Sequence, residues 1–275
     1  MKKLLLLAAL FLQTYVLACK CDETGKVGIQ FQDADFVGEI EILKITPNKR
    51  KRSYTAEIKT MATYKGEPPR MVEVLGLLGD INSGSCEVEL KTGEKYIAYL
   101  SEGDGDNIWS MTSRENPRIS SKFVISSCTP MTLIASETKN LDLEREVLNF
   151  LRKNKFNLSQ AFYFDNSVFQ RGEGNFKKTV MELPANRFAV YKLKVNSKSE
   201  VEEIEAIQNF GSAQDAEIMK LIKKNFSIAK ELLTEVRNEE VLLTLFYIPE
   251  NKEKEFGDTI TLRLQYTMSK ENGSE

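Results

Sequence analysis

Between Val27 and Thr129 the hydrophobic positions come in short alternating runs broken by turn residues. Phe36-Val37-Gly38-Glu39-Ile40 and Tyr54-Thr55-Ala56-Glu57-Ile58 have the period of half-buried strands. Val72 to Leu77, Lys95 to Leu100, Ile108 to Thr112 and Phe123 to Ser126 supply further strands, bounded by Gly, Pro, Asn and Ser. Short strands so closely punctuated predict an all-β first domain, closed as a small barrel.

After Pro130 the period lengthens. Leu141, Val147, Leu148 and Leu151 recur at near-helical spacing behind Asn140, a candidate cap, so a helix trails the barrel. Asn154 to Lys178 is mixed, with Gly172 and Gly174, and holds the domain boundary. Phe188, Val190, Tyr191, Leu193 and Val195 then lead into a polar Asn196-Ser197 turn, with Val201, Ile204 and Ile207 beyond it, which predicts a hairpin. Ser212 to Lys224 reads as a helix, with Ser212 and Asp215 placed as a capping box and Ala216, Met219 and Ile222 as an apolar stripe. Leu242 to Ile248 and Thr259 to Tyr266 return to strand, which makes the second half α+β.

The N-terminus has a different pattern again. Lys2 and Lys3 precede an apolar run from Leu4 to Leu12, and Val16 and Ala18 stand at the small-residue cleavage positions of a signal peptide. A membrane span needs about 20 apolar residues, and Gln13 interrupts this run early. The expected organisation is therefore a leader at 1–18, the barrel with its helix at 19–153, a linker at 154–178, an α+β domain at 179–268 and a disordered tail at 269–275. Cleavage after Ala18 makes Cys19 the mature N-terminus. Val16-Leu17-Ala18-Cys19 also loosely matches a lipoprotein box, whose acylation of Cys19 would anchor the chain to the outer membrane and block both its thiol and its amine. Simple cleavage is favoured, since Leu17 is atypical for that box. Secretion or a place in the periplasm or cell envelope follows.

Hydrophobic residues at 41% and charged ones at 28% match a soluble globular chain. The balance of 38 basic and 40 acidic residues gives no overall field toward nucleic acid. There is no histidine, which excludes Ser-His-Asp and Cys-His catalysis and every His-ligated metal site. No paired carboxylates or Gly-rich phosphate loop stand out either, so the expectation is a binding protein without cofactor and without enzymatic activity.

The four cysteines, Cys19, Cys21, Cys86 and Cys128, are an even number in a chain expected to be exported, which favours two disulfides. Cys19 and Cys21 are too close to pair comfortably, so each reaches one of the two distant cysteines, and two pairings remain open. A zinc site is the weaker alternative, because CxC with two scattered cysteines lacks paired CxxC spacing.

Several of these features together resemble the netrin-like (NTR) domain of the tissue inhibitors of metalloproteinases. They are Cys19-Lys20-Cys21, Asp35-Phe36-Val37-Gly38, Tyr64-Lys65-Gly66, Ser85-Cys86, the turn Lys91-Thr92-Gly93-Glu94-Lys95-Tyr96, and Ser126-Ser127-Cys128-Thr129. The resemblance covers roughly residues 19–130. It implies an OB-like five-stranded barrel and the disulfides Cys19–Cys86 and Cys21–Cys128. It further implies that the free amine and carbonyl of Cys19 chelate the zinc of a metalloendopeptidase in trans, with Lys20 and Cys21 contacting the protease. Lys20 stands where that family more often has a small hydroxyl residue, and one of the family's usual disulfides has no counterpart.

Residues of about 180–266 more faintly resemble the TonB C-terminal domain, through Val190-Tyr191-Lys192-Leu193-Lys194-Val195-Asn196 and Val201-Glu202-Glu203-Ile204. That resemblance implies the alternative function, a non-inhibitory envelope adaptor that binds partners by strand addition. Three other features have plain readings. Lys49-Arg50-Lys51-Arg52 reads as a solvated hairpin tip. Glu102-Gly103-Asp104-Gly105-Asp106-Asn107 reads as a turn, lacking the downstream glutamate of a calcium loop. Trp109, Phe162, Tyr163, Phe164 and Phe169 read as packing residues.

Overall fold

The computed structural model describes residues 27–48, 53–76, 88–102, 123–156, 184–196, 200–226, 239–249 and 259–261. Two antiparallel-rich sheets dominate it. The first is built on a long hairpin of β1 (Phe36–Asn48) and β2 (Ser53–Lys65), followed by β3 (Met71–Leu75), β4 (Lys95–Leu100), β5 (Val124–Ile125) and β6 (Met131–Leu133). Its order is β5-β3-β2-β1-β4-β6, and every pairing is antiparallel except that of β3 with β5. Beyond β4, Glu102 bridges to Phe123 just ahead of β5, so the ends of the curled sheet approach each other.

The interior of the curl is apolar. Phe36, Ile40 and Ile42 of β1 meet Tyr54, Ala56 and Ile58 of β2, Val72 and Val74 of β3, and Leu100 and Phe123. Tyr54 is 1% exposed, and its hydroxyl donates to Val88 O (2.8 Å) while accepting from Leu90 N (2.9 Å). Both hydrogen-bonding roles of a buried phenol are thereby satisfied. Register shifts at Glu39/Ile40 and Ile42/Lys44 bend the β1–β2 hairpin. They leave Met61 and Leu43 as extra residues, both exposed. Gly66 ends β2 at φ 71°, against Asp35 O, where a side chain would be strained and crowded.

The second sheet has the order β10-β9-β7-β8, from β7 (Phe188–Val195), β8 (Val201–Gln208), β9 (Glu239–Ile248) and β10 (Thr259–Thr261). β7 and β9 alternate with both faces buried. Ala189, Tyr191, Leu193, Val241, Leu243 and Leu245 face helix α3 (Asp215–Asn225), meeting its Ile218 and Ile222. Ala216, expected in that stripe, is exposed instead. Asp215 accepts from the backbone of Phe210, Gly211 and Ser212, while Gln214 rather than Ser212 takes the N-cap position.

The opposite face of the second sheet meets the first. Phe188, Val190, Leu242 and Phe246 share one cluster with Val37, Tyr64, Ile97 and Tyr99 of the first sheet. Two helices fill the layer between them. In α2 (Leu141–Asn154), the buried Leu143, Val147, Leu148 and Leu151 form its inward stripe. Asn140 stands at its N-cap with φ 64° and makes no side-chain cap bond, so the expected capping role is not seen.

The other helix, α1 (Val27–Asp33), occupies a segment where the sequence pattern predicts strand. Val27, Gly28, Phe31 and Gln32 form its buried face. Seven residues are too few for a helix to stand alone in water, so its docking onto the sheets holds it.

Candidate functional site

Of the site residues expected from sequence, Cys19, Lys20, Cys21 and Cys86 lie outside the described residues. So do Lys49 to Arg52, Gly103 to Asn107, Trp109, Phe162, Tyr163, Phe164 and Phe169. Cys128 is described. It is exposed, in a tight turn where Thr129 Oγ1 accepts from Ser126 N (2.8 Å) and Ser126 Oγ accepts from Cys128 N (3.2 Å). The turn follows β5 directly and presents Cys128 outward. Cys128 has no free thiol, and no other cysteine is among the described residues.

α1, the first described element, is tied to both sheets. Gln32, 4% exposed, donates from Nε2 to Glu240 O (2.9 Å) and accepts at Oε1 from Leu242 N (3.0 Å). Gly28 lies so close to Thr244 and Leu242 O that a Cβ there would collide with the Thr244 side chain. On the other side, Lys65 Nζ donates to the carbonyls of Phe31 (2.9 Å) and Gln32 (2.8 Å), satisfying the C-terminal end of the helix, and lies 5.6 Å from the Phe31 ring centre. Burial lowers the Lys65 pKa from its ordinary value, against the opposing charges of Asp35 and Asp33.

A polar cluster joins α2 to the first sheet. Glu39 accepts from Tyr64 OH (2.7 Å) and from Arg145 Nε (2.8 Å) and Nη2 (3.0 Å). Burial raises the Glu39 pKa, but the bonds from Arg145 and Tyr64 and the Arg145 charge outweigh it, leaving the group below the ordinary carboxylate value. Burial, then the bond to Glu39, raises Tyr64. One helical position earlier, the fully buried Glu144 accepts from Tyr99 OH at 2.6 Å.

Beside this cluster lies a cleft of about 510 Å³ at the junction of the two halves. The start of α2, Ala135, Ser136 and Thr138 of the loop before it, Lys95 of β4 and Arg187 ahead of β7 are among the residues that line it. Arg145 is held by Glu39 and lies 3.7 Å from Asp142, so Lys95 and Arg187 are the basic side chains left in an otherwise polar lining. Sequence reasoning missed both the cleft and the Gln32 tether, because their residues are far apart in the chain and carry no local motif.

Among the described residues no cluster of three or more Cys, Asp or Glu side chains could hold a metal ion. No helix among them is long and apolar enough to cross a membrane. No protein-family model matches the chain, and no curated protein matches it in sequence.

Proposed function

We propose that this chain is an exported protein-binding module, built on an NTR-like, OB-like barrel, that presents Cys19 at its mature N-terminus to a zinc metalloendopeptidase. The supporting observation is the strand connectivity. β1, β2 and β3 form a meander, β3 runs parallel to β5, β4 returns to β1, and the Glu102–Phe123 bridge links the end of β4 to the start of β5. A five-stranded barrel would close between β4 and β5, and the isolated Glu102–Phe123 bridge lies where that closure would fall. β6 then adds to β4 as a sixth strand.

In this reading, disulfides Cys19–Cys86 and Cys21–Cys128 staple the N-terminal segment to the barrel. Cys128 is suited to the second of these, since its turn holds it outward immediately after β5. A catalytic zinc keeps one coordination position for water, and the neutral amine and carbonyl oxygen of Cys19 would take it. An α-amino pKa near 7.7–8.0 makes deprotonation on binding inexpensive at neutral pH. Lys20 would extend toward the protease and Cys21 would contact it.

The experiment is mass analysis of the mature N-terminus, followed by inhibition assays on zinc endopeptidases with the N-acetylated protein as control. Inhibition by the free amine and its loss on acetylation are expected. Acylation of Cys19, or inhibition indifferent to acetylation, overturns the chelation reading. The second reading, an envelope adaptor that docks partners by strand addition, is favoured by the place of β8 at the edge of its sheet.

A further inference from the structure

Lys95 opens β4 and Arg187 immediately precedes β7, so each of the two sheets brings one cation to the lining of the cleft beside α2. Backbone bonds fix both positions. Ile134 N donates to Lys95 O (2.8 Å), and Tyr247 N donates to Arg187 O (2.9 Å). Both side chains are exposed, and among the described residues neither has an ion-pair or hydrogen-bond partner. The third cation of the lining, Arg145, is already matched by Glu39.

Little negative charge opposes them. Asp142 is the one acidic residue in the lining, and its side chain is 93% exposed and 3.7 Å from Arg145 Nη1, so its charge faces solvent and Arg145. Thr138 also lines the cleft, and its Oγ1 is buried without a hydrogen-bond partner among the described residues, which is costly unless a polar group reaches it. α2 starts on the same wall at Leu141, and its dipole favours negative charge at that end.

We propose that the cleft binds phosphate, free or carried by a small polar molecule, with Lys95 and Arg187 pairing with its oxygens and Thr138 Oγ1 donating to it. The planar fork of arginine suits two oxygens at once, and lysine supplies a compact charge. Two unmatched cations favour a dianion over a singly charged carboxylate. The volume of about 510 Å³ lies in the range of small-molecule sites and leaves room beyond one phosphate, along Ser136 and Asn140. None of these residues enters the protease reading, so the two proposals stand or fall separately.

Amide NMR on the full chain at low ionic strength tests the site by titration with glycerol phosphate, inorganic phosphate and acetate. Saturable shifts are expected at Lys95, Thr138 and Leu141 to Leu143, with phosphate bound more tightly than acetate. Lys95→Gln and Arg187→Gln should each weaken phosphate binding by about tenfold. Both positions are exposed, so melting temperatures should stay near that of wild type. Should either variant fail to fold, wild type alone decides. Its affinity for glycerol phosphate should fall as pH drops through about 6, where the monoester gains a proton, while acetate binding should not follow.

Shifts scattered over surface lysines, an adventitious ion only, overturn the site. So does an affinity unchanged in both variants, or acetate bound as tightly as phosphate. Inorganic phosphate that matches glycerol phosphate upholds the site as one for the free ion. Tighter binding of the ester upholds it as one for an organic phosphate.

Discussion

Arg145 of α2 holds Glu39 of β1 through Nε at 2.8 Å and Nη2 at 3.0 Å, a two-nitrogen grip across 106 positions of sequence. It pins the helix to the sheet at the mouth of the cleft. Replacing Arg145 by Met leaves a mostly buried carboxylate with the Tyr64 hydroxyl as its remaining partner in the cluster. The arginine side chain is 34% exposed, so solvent screens part of the interaction. A loss of about 1–2 kcal/mol is expected in urea titrations. The double variant Glu39→Gln/Arg145→Met should recover part of it, since no charge is then stranded.

The same pair sets a pH dependence. Glu39 is held below its ordinary pKa in the folded chain, so the folded state binds its proton less readily than the unfolded state does. Its stabilisation is therefore complete above the ordinary carboxylate range and is lost as pH falls through the folded value. Acidification should lower the melting temperature of wild type more than that of Glu39→Gln, so the two curves converge at low pH. Parallel curves would contradict the assignment.

Tyr54→Phe removes a hydroxyl that donates to Val88 O and leaves the buried Leu90 N–H without its acceptor. The expected cost is about 1–3 kcal/mol. Faster amide exchange should appear at Leu90, with little change in α3, which shares no cluster with Tyr54.

Leu148 is fully buried in the layer that both sheets share. Leu148→Ala should cost about 2–5 kcal/mol, as a cavity left in a packed core does. Because Val37 and Ile97 of one sheet and Val190 and Leu242 of the other belong to that cluster, exchange protection should fall in both sheets together. Protection lost in the first sheet alone would show that the layer does not couple them.

Strands with a strong local pattern were legible in the sequence. β4 begins and ends at Lys95 and Leu100 as expected, and β7 runs from Phe188 to Val195. The alternating core of β1 is evident too, but its continuation to Asn48 is not, because the shift at Ile42/Lys44 breaks the two-residue period. α1 was misread for a physical reason. Val27 and Ile29 favour extended backbone, Gly28 disfavours helix, and only tertiary contacts with β9 and Lys65 select the helical state.

The candidate site divides similarly. Cys128 stands out in the sequence as one of four cysteines, whereas Gln32 looks like any surface glutamine until β9 is brought against it. Nor does any local motif join Glu39 with Arg145, or Lys95 with Arg187. Their proximity is a product of the packed layer between the sheets.

That layer limits where the polypeptide can be cut. A fragment ending at residue 156 would keep Val37, Tyr64, Ile97 and the inward stripe of α2 but lose Phe188, Val190, Leu242 and Phe246 opposite them. Its newly bared greasy surface would recruit detergent, chaperones or other copies of itself. Anyone seeking a minimal soluble piece should therefore retain both sheets and shorten the chain only at its ends.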